Sequence, residues 1–182
     1  MKKFFLVLVV ALMSVTMSAQ ETEFSFNKEG FTDYIVTECE GKTQAELYKK
    51  TLDWISITYK NPKEVIKAKI ENDYIRIEGS STDLVCFNIL GKKSCNRSRY
   101  TIEIFFKDSK YKFDIINNIE YLHEGGWAEV SLDKTNLYYN KKNEIRNNYK
   151  YFPEIATYFN ILNKGLNNFV IGNEIPSKKS DW

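Results

Sequence analysis

Between residues 99 and 119 the large apolar side chains fall on every second position. Tyr100, Ile102, Ile104 and Phe106 alternate with polar residues, Lys107-Asp108-Ser109-Lys110 turns the chain, and Tyr111, Phe113 and Ile115 resume the alternation. A period of two belongs to a strand with one buried face, so the segment predicts a hairpin. With Phe106 opposite Tyr111, Ile104 meets Phe113 and Ile102 meets Ile115, which gathers the apolar residues on one side. A slip of one residue would disperse them. The other side carries Thr101, Glu103, Lys107, Lys112 and Asp114 and predicts contact with water or a partner, with Glu103 against Asp114 as a like-charged pair.

A second hairpin precedes it. Ile66, Ala68 and Ile70 alternate with Lys67, Lys69 and Glu71, Asn72-Asp73 is a turn pair, and Ile75 and Ile77 return the apolar face, with Ile70 opposite Ile75. Gly79-Ser80-Ser81 reads as a weak point, and the span to Ser98 as a connection with a candidate middle strand over 84–90. Upstream, a strand over 31–40 sets Tyr34 and Val36 against Ile35, Thr37 and Cys39. Thr43-Gln44-Ala45-Glu46 then matches a capping box. The helix it starts, over 44–60, carries Ala45, Tyr48, Leu52, Ile55 and Tyr59, widened by Leu47 and Trp54, and stops at Asn61-Pro62.

Beyond Tyr121 the pattern thins. His123-Glu124-Gly125-Gly126 predicts a flexible link, 127–132 a short extra strand, and 136–150 is polar and tyrosine-rich without a clear period. Pro153 suits a first helical turn, and Ile155, Tyr158, Phe159, Leu162, Leu166 and Phe169 keep helical spacing to Gly172. Gly165 inside that run costs roughly 1 kcal/mol relative to alanine and points to a close contact. The order of elements predicts an α+β fold, β-α-β-β-β-β-α: a single twisted antiparallel sheet of about five strands with two helices packed on one face.

The N-terminus changes the reading of compartment. Lys2 and Lys3, an apolar run from Phe4 to Met13, and the small residues around Ser18 and Ala19 form a signal peptide over 1–19. No cysteine follows the run to receive a lipid. The expected organisation is then a signal peptide at 1–19, an N-terminal extension at 20–30, one domain over 31–172 and a disordered tail at 173–182. Such a chain is exported to the periplasm, the cell surface or beyond, with no transmembrane segment once the signal is removed. Losing Lys2 and Lys3 brings the 26 basic residues level with the 24 acidic ones, so no electrostatic footprint for nucleic acid remains.

Export also changes the cysteines. Cys86 and Cys95 bracket a short segment and are the candidate disulfide of a compartment where disulfides persist; the alternative is a reduced pair. Cys39 reads as a small buried hydrophobe. The sequence holds one histidine, His123, and lacks a nucleophile-elbow serine, a zinc-protease pair or a phosphate-cradling glycine loop. No catalytic, cofactor-binding or metal-ligating residue is assigned, and no cofactor is expected. A hydrolase built on Cys95 and His123 is the weakest reading, because it needs that cysteine reduced, exposed and close to the imidazole.

Glu46-Leu47-Tyr48, Trp54-Ile55, Tyr59 with Asn61-Pro62, Val65-Ile66 and the aromatic hairpin around Lys107-Asp108 resemble an exported bacterial family of unknown function with a fold like the TATA-binding protein (TBP-like). The resemblance runs from about Phe31 to Leu122. It implies a strand, a helix, four strands and a helix, with the helices on one face, and it implies no activity. A nucleic-acid role is not carried over, since minor-groove readers of that shape need basic residues and apolar wedges on the open sheet face. Two readings follow. The first is a module that binds an envelope protein or a glycan through the open sheet face or through Trp127, Tyr138, Tyr139 and Tyr149. The second is a gap between helices and sheet that holds a small apolar ligand. Against both, the tyrosines could simply pack around the helix ends.

Overall fold

The computed structural model describes residues 22–172, without the side chains of Asn117 and Asn118. The expected signal peptide at 1–19 and tail at 173–182 lie outside the described residues. The elements are β1 (Phe26–Asn27), β2 (Gly30–Phe31), β3 (Tyr34–Glu38), α1 (Gln44–Thr58), a single turn α2 (Pro62–Val65), β4 (Ile66–Ile70), β5 (Tyr74–Ile89), β6 (Lys92–Lys107), β7 (Lys110–His123), β8 (Gly126–Val130) and α3 (Glu154–Ile171). Two 3-10 turns, Thr135–Tyr138 and Asn147–Tyr149, occupy the region without a sequence period.

The central hairpin forms in the expected register, with Phe106 opposite Tyr111, Ile104 opposite Phe113 and Ile102 opposite Ile115. All six side chains are buried. The sheet is larger than the expected five strands: it has six, in the order β3-β7-β6-β5-β4 with β8 beside β7, and β1 and β2 form a separate ribbon. The extra size comes from strand length. Gly79-Ser80-Ser81 does not interrupt β5, and the presumed connection to Ser98 is its continuation and the start of β6, which pair as far as Ile89 and Lys92 across one irregularity between Ser81 and Val85. Tyr100 faces Gly79 across the strands, and its ring fills the place of the missing side chain. The glycine therefore accommodates a cross-strand aromatic rather than ending a strand.

The β4–β5 turn also departs from expectation. Asn72 takes a left-handed conformation (φ 61°), the turn spans Glu71 to Asp73, and Ile70 pairs with Tyr74 instead of Ile75. That one-residue shift turns Ile70 to the opposite side of the sheet, where it is 60% exposed. At the other end, His123-Glu124-Gly125-Gly126 is not a loose link: Glu124-Gly125 closes a tight hairpin in which His123 pairs with Gly126 and β8 follows.

Both long helices cover the face formed by the buried hairpin residues. The capping box forms as expected, with the Thr43 side chain accepting from the Glu46 backbone and the Glu46 carboxylate accepting from the Thr43 backbone at 2.8 Å. The buried stripe of α1 is Leu47, Tyr48, Thr51, Trp54 and Ile55. Ala45 faces solvent and Leu52 is half-buried, because the centre of the stripe runs through Thr51, whose hydroxyl donates to the Leu47 carbonyl at 2.8 Å. Tyr48 meets Phe106 edge-on at 5.8 Å. From α3, Phe159 meets Tyr100 at 5.4 Å, and Asn163 Oδ1 accepts from the buried Tyr111 hydroxyl at 2.9 Å. Tyr100, Phe106 and Tyr111 share one sheet face, so α1 and α3 lie on the same side.

Residues 22–31 join this core. Phe24 stacks on Phe31 at 5.5 Å and meets Phe159 at 6.2 Å, while Asn160 of α3 clamps the Phe24 backbone through both its amide (2.7 Å) and its carbonyl (2.9 Å). At the far end, Tyr138, Tyr149, Phe152, Phe87 and Phe26 form an aromatic cluster with centroid separations of 4.9 Å for Tyr138–Phe152 and 5.3 Å for Phe87–Phe152. These rings bury large apolar areas and keep edge-to-face geometry, which supports the C-terminal helix where the sheet alone would leave it uncovered.

Two glycines give opposite expectations. A β-carbon on Gly79 would lie 2.3 Å from the Tyr100 ring, which Tyr158 and Phe159 hold in place, so Gly79→Ala is expected to lower unfolding free energy in denaturant titration. The expected loss is about 1–3 kcal/mol, the usual cost of overpacking. At Gly165 the nearest atom to such a carbon is Trp54 Nε1 at 3.8 Å, an ordinary contact. Gly165→Ala is expected to raise stability by about 0.4–1 kcal/mol in the same titration.

Candidate interaction surface

The side of the sheet away from the helices takes its character from the register. Outward residues align in rows across the strands: Ile70, Tyr74, Phe105, Lys112 and Val36 in one, and Ala68, Arg76, Glu103, Asp114 and Tyr34 in the next. Lys112 Nζ sits 4.5 Å from the Phe105 ring centroid and 4.9 Å from that of Tyr34, and Tyr74 packs on Phe105 at 5.0 Å. Tyr34 is 47% exposed. Toward β8, Arg99 lies over the Trp127 ring at 4.3 Å, and Trp127 pairs across the strands with Leu122.

Five cations on this side are answered within it. Arg76 reaches Glu103 at 2.6 Å, Lys112 reaches Asp114 at 2.7 Å, Lys110 meets Glu38 at 3.9 Å, Lys67 meets Glu78 at 3.7 Å, and Arg99 pairs with Glu120. Each such exposed pair contributes little to stability, about 0–1 kcal/mol. Together they leave a face with little net charge. The unfavourable opposition of Glu103 and Asp114 is relieved because each acid has its own cation. Burial pushes the Glu103 carboxyl up, but the Tyr74 hydroxyl and the Arg76 guanidinium outweigh it and hold Glu103 below the usual carboxylate range. The hydrogen bond from Arg99 does the same for Glu120.

The four aromatic residues singled out from sequence do not share a surface. Trp127 lies on the helix-free side and is 41% exposed, whereas Tyr138 is 8% exposed, lies 5.0 Å from Tyr149, and accepts a hydrogen bond from the Ser131 amide at 2.8 Å. Tyr139 donates to the Phe26 carbonyl at 3.3 Å. Tyr138 is thus a core residue, and Tyr139 and Tyr149 are half-buried around it. Packing at the helix end, the plainer alternative, accounts for these three. Phe105 and Tyr74, which the alternating pattern of the hairpins leaves unassigned, belong to the helix-free side as well. The odd-numbered phase of Phe105, opposite to Phe106, is the sign of it in the sequence.

Cys86 and Cys95 form a disulfide between directly opposed residues of β5 and β6, with a Cα–Cα distance of 3.9 Å. Cys95 is therefore no nucleophile, and the Cys95/His123 hydrolase reading is overturned. His123 Nδ1 instead accepts from the Gly125 amide at 3.1 Å in its own turn. Cys39 is buried, and burial pushes its thiol up to about 11, so it packs as a neutral side chain. Two surface depressions, of about 470 and 460 Å³, are lined mostly by polar residues such as Lys60, Asn61 and Glu64 in the first and Thr37, Asn160 and Asn167 in the second, and a third, of about 380 Å³, sets Glu29, Asp33 and Asp133 beside Phe31, Ile115 and Leu132. Their lining gives no support to an apolar-ligand cavity. No helix among the described residues is long and apolar enough to cross a membrane.

Residues 34–122 match the model of a family described as a domain of unknown function, DUF4468, with a TBP-like fold. The match begins at β3 and ends in β7, which places the shared architecture on β3, α1 and the four strands β4 to β7. Among solved structures, a DUF4468 family protein from Bacteroides ovatus is 14% identical and superposes with a TM-score of 0.60 over 82% of this chain and 90% of that one. A TBP-like protein from Parabacteroides distasonis is 11% identical, with a TM-score of 0.54 over 75% of this chain and 90% of that one. At those identities the likeness establishes the fold, which extends past the DUF4468 segment. No curated protein matches the chain.

The depressed carboxyls set the acid response. Below the unfolded-state value of about 4.3 for glutamate, the native state of the sheet must give up charge-assisted bonds as the pH falls through the lower folded value. Stability measured by denaturant titration is expected to hold at neutral pH and decline below about pH 4. Glu103→Gln is expected to flatten part of that decline; an unchanged slope would show that Glu103 is not depressed.

Proposed function

We propose that this protein is an exported, non-enzymatic module that works in the periplasm or at the cell surface by binding another envelope protein or a glycan through the helix-free side of its sheet. The observation that carries the reading is the outward aromatic group of Tyr74 and Phe105 in one row and Tyr34 in the next, joined through Lys112 and extended at the β8 edge by Trp127, on a side where most charges are paired. Tyrosine and tryptophan offer large rigid contact area with a polar tip, which suits recognition of both protein and sugar surfaces. A face with little net charge leaves recognition to rings and hydrogen bonds, in contrast to the phosphate neutralisation that nucleic acid would demand. The export part of the proposal is supported by the basic, apolar and small-residue order of positions 2 to 19.

The test is capture from the producing organism's own envelope extract and from its polysaccharide fraction, using the chain from Gln20 and a Tyr34→Ser/Trp127→Ser variant. Removing two exposed rings is expected to cut retention about tenfold or more, the scale of an interface hot spot, without altering the unfolding transition. Equal retention of both proteins in both fractions would contradict the proposal.

A further inference from the structure

The two-residue loop between β5 and β6, Leu90-Gly91, has positive φ at both positions, 49° and 85°. Hairpin turns of this kind favour Asn-Gly, because a left-handed backbone crowds the β-carbon of other residues. Here a leucine takes the first position, and its side chain is 98% exposed. Neither local preference nor packing accounts for it. Ile89 beside it is 54% exposed. The tip is firmly held nonetheless: Ile89 pairs with Lys92, the Cys86–Cys95 disulfide ties the two strands behind it, and Phe87 is seated 5.3 Å from Phe152 and 5.2 Å from Tyr121.

Charge adds a second observation. Between Asp83 and Glu103 the chain has no carboxylate and carries Lys92, Lys93, Arg97 and Arg99, in a sequence otherwise close to balance. Arg99 pairs with Glu120 and Lys93 with Glu154, while Lys92 and Arg97 are exposed. Tyr151 lies beside the tip, with Lys93 Nζ 5.0 Å and Lys150 Nζ 4.9 Å from its ring centroid. Exposed aliphatic side chains at a rigid point, bordered by lysines and a tyrosine, have the composition of a segment that enters a bilayer interface.

We propose that this hairpin tip docks the protein peripherally on an anionic lipid surface, with Leu90 and Ile89 at the boundary of headgroups and acyl chains and Lys92 against the phosphates. The contact is separate from the helix-free sheet face and does not depend on it. An acidic protein or polysaccharide would use the cations but would leave Leu90 without a role, and so is the less favoured partner. Lipid accounts for both the apolar point and the basic border.

The chain from Gln20, which contains the whole described core, is mixed with vesicles of phosphatidylcholine alone and of an equimolar mixture of phosphatidylcholine and phosphatidylglycerol, then floated through a density gradient. The protein is expected to float with the anionic vesicles and not with the neutral ones. Leu90→Asn suits the left-handed position, so its melting temperature should be equal or higher while flotation falls about tenfold. Lys92→Glu should reduce flotation about fivefold or more. No flotation of the unaltered chain, undiminished flotation of Leu90→Asn, or equal flotation with neutral vesicles would overturn the proposal. So would retention on heparin that depends on Lys92 while neither variant affects vesicle binding, which would assign the tip to an acidic polymer.

Discussion

The pairing of Ile104 with Phe113, and of their neighbours on either side, is the constraint on which the rest of the structure depends. Side chains alternate along a strand, so this register decides at once which residues lie beneath the helices and which face outward. Tyr48 of α1 can reach Phe106, and Asn163 of α3 can reach Tyr111, because those two sheet residues oppose each other on one side. The outward rows of Phe105, Lys112, Glu103 and Asp114 follow from the same register. Core and candidate surface are two consequences of one set of hydrogen bonds.

Around that centre the fold resolves its local conflicts by neighbouring contacts. Glu103 and Asp114 oppose each other, yet each has a cation within 2.7 Å, and the repulsion is absorbed by pairs that cross and run along the strands. Gly79 removes a side chain from the middle of a long strand, and Tyr100 covers the gap. Tyr100 in turn connects three elements through its hydroxyl, which lies 3.3 Å from that of Tyr59 and 3.1 Å from that of Tyr158. Burial holds the Tyr100 hydroxyl far above its ordinary value, so it stays neutral and shares a hydrogen-bonded polar network with the Tyr59 and Tyr158 hydroxyls.

What could be read from sequence was what rests on period and on capping chemistry. The central hairpin register, the capping box at Thr43 and Glu46 and the C-terminal helix follow from short-range rules with a single strong solution, whereas the Cys86–Cys95 pair was one of two alternatives that the sequence left open. The misreadings occur where a tertiary partner reverses a local preference. Gly79-Ser80-Ser81 resembled a break because nothing nearby in sequence announces Tyr100. Ile70 was assigned to the core because the left-handed Asn72 that shifts its register is a property of the folded turn. Tyr138 and Tyr149 looked like surface residues because Phe26, Phe87 and Phe152, which enclose them, are distant in the chain. On the candidate surface, the alternating charges were legible, while the aromatic row required knowledge of how four strands align.

Native-state hydrogen exchange measured residue by residue tests the central claim most directly. If the β6–β7 register organises the fold, backbone amides of residues 102–106 and 111–115 that are bonded across the ladder should exchange most slowly, at the rate set by global unfolding. Slower exchange in α1 or α3 than in these strands, or rapid exchange at Ile104 and Phe113 while the rest of the sheet stays protected, would contradict it.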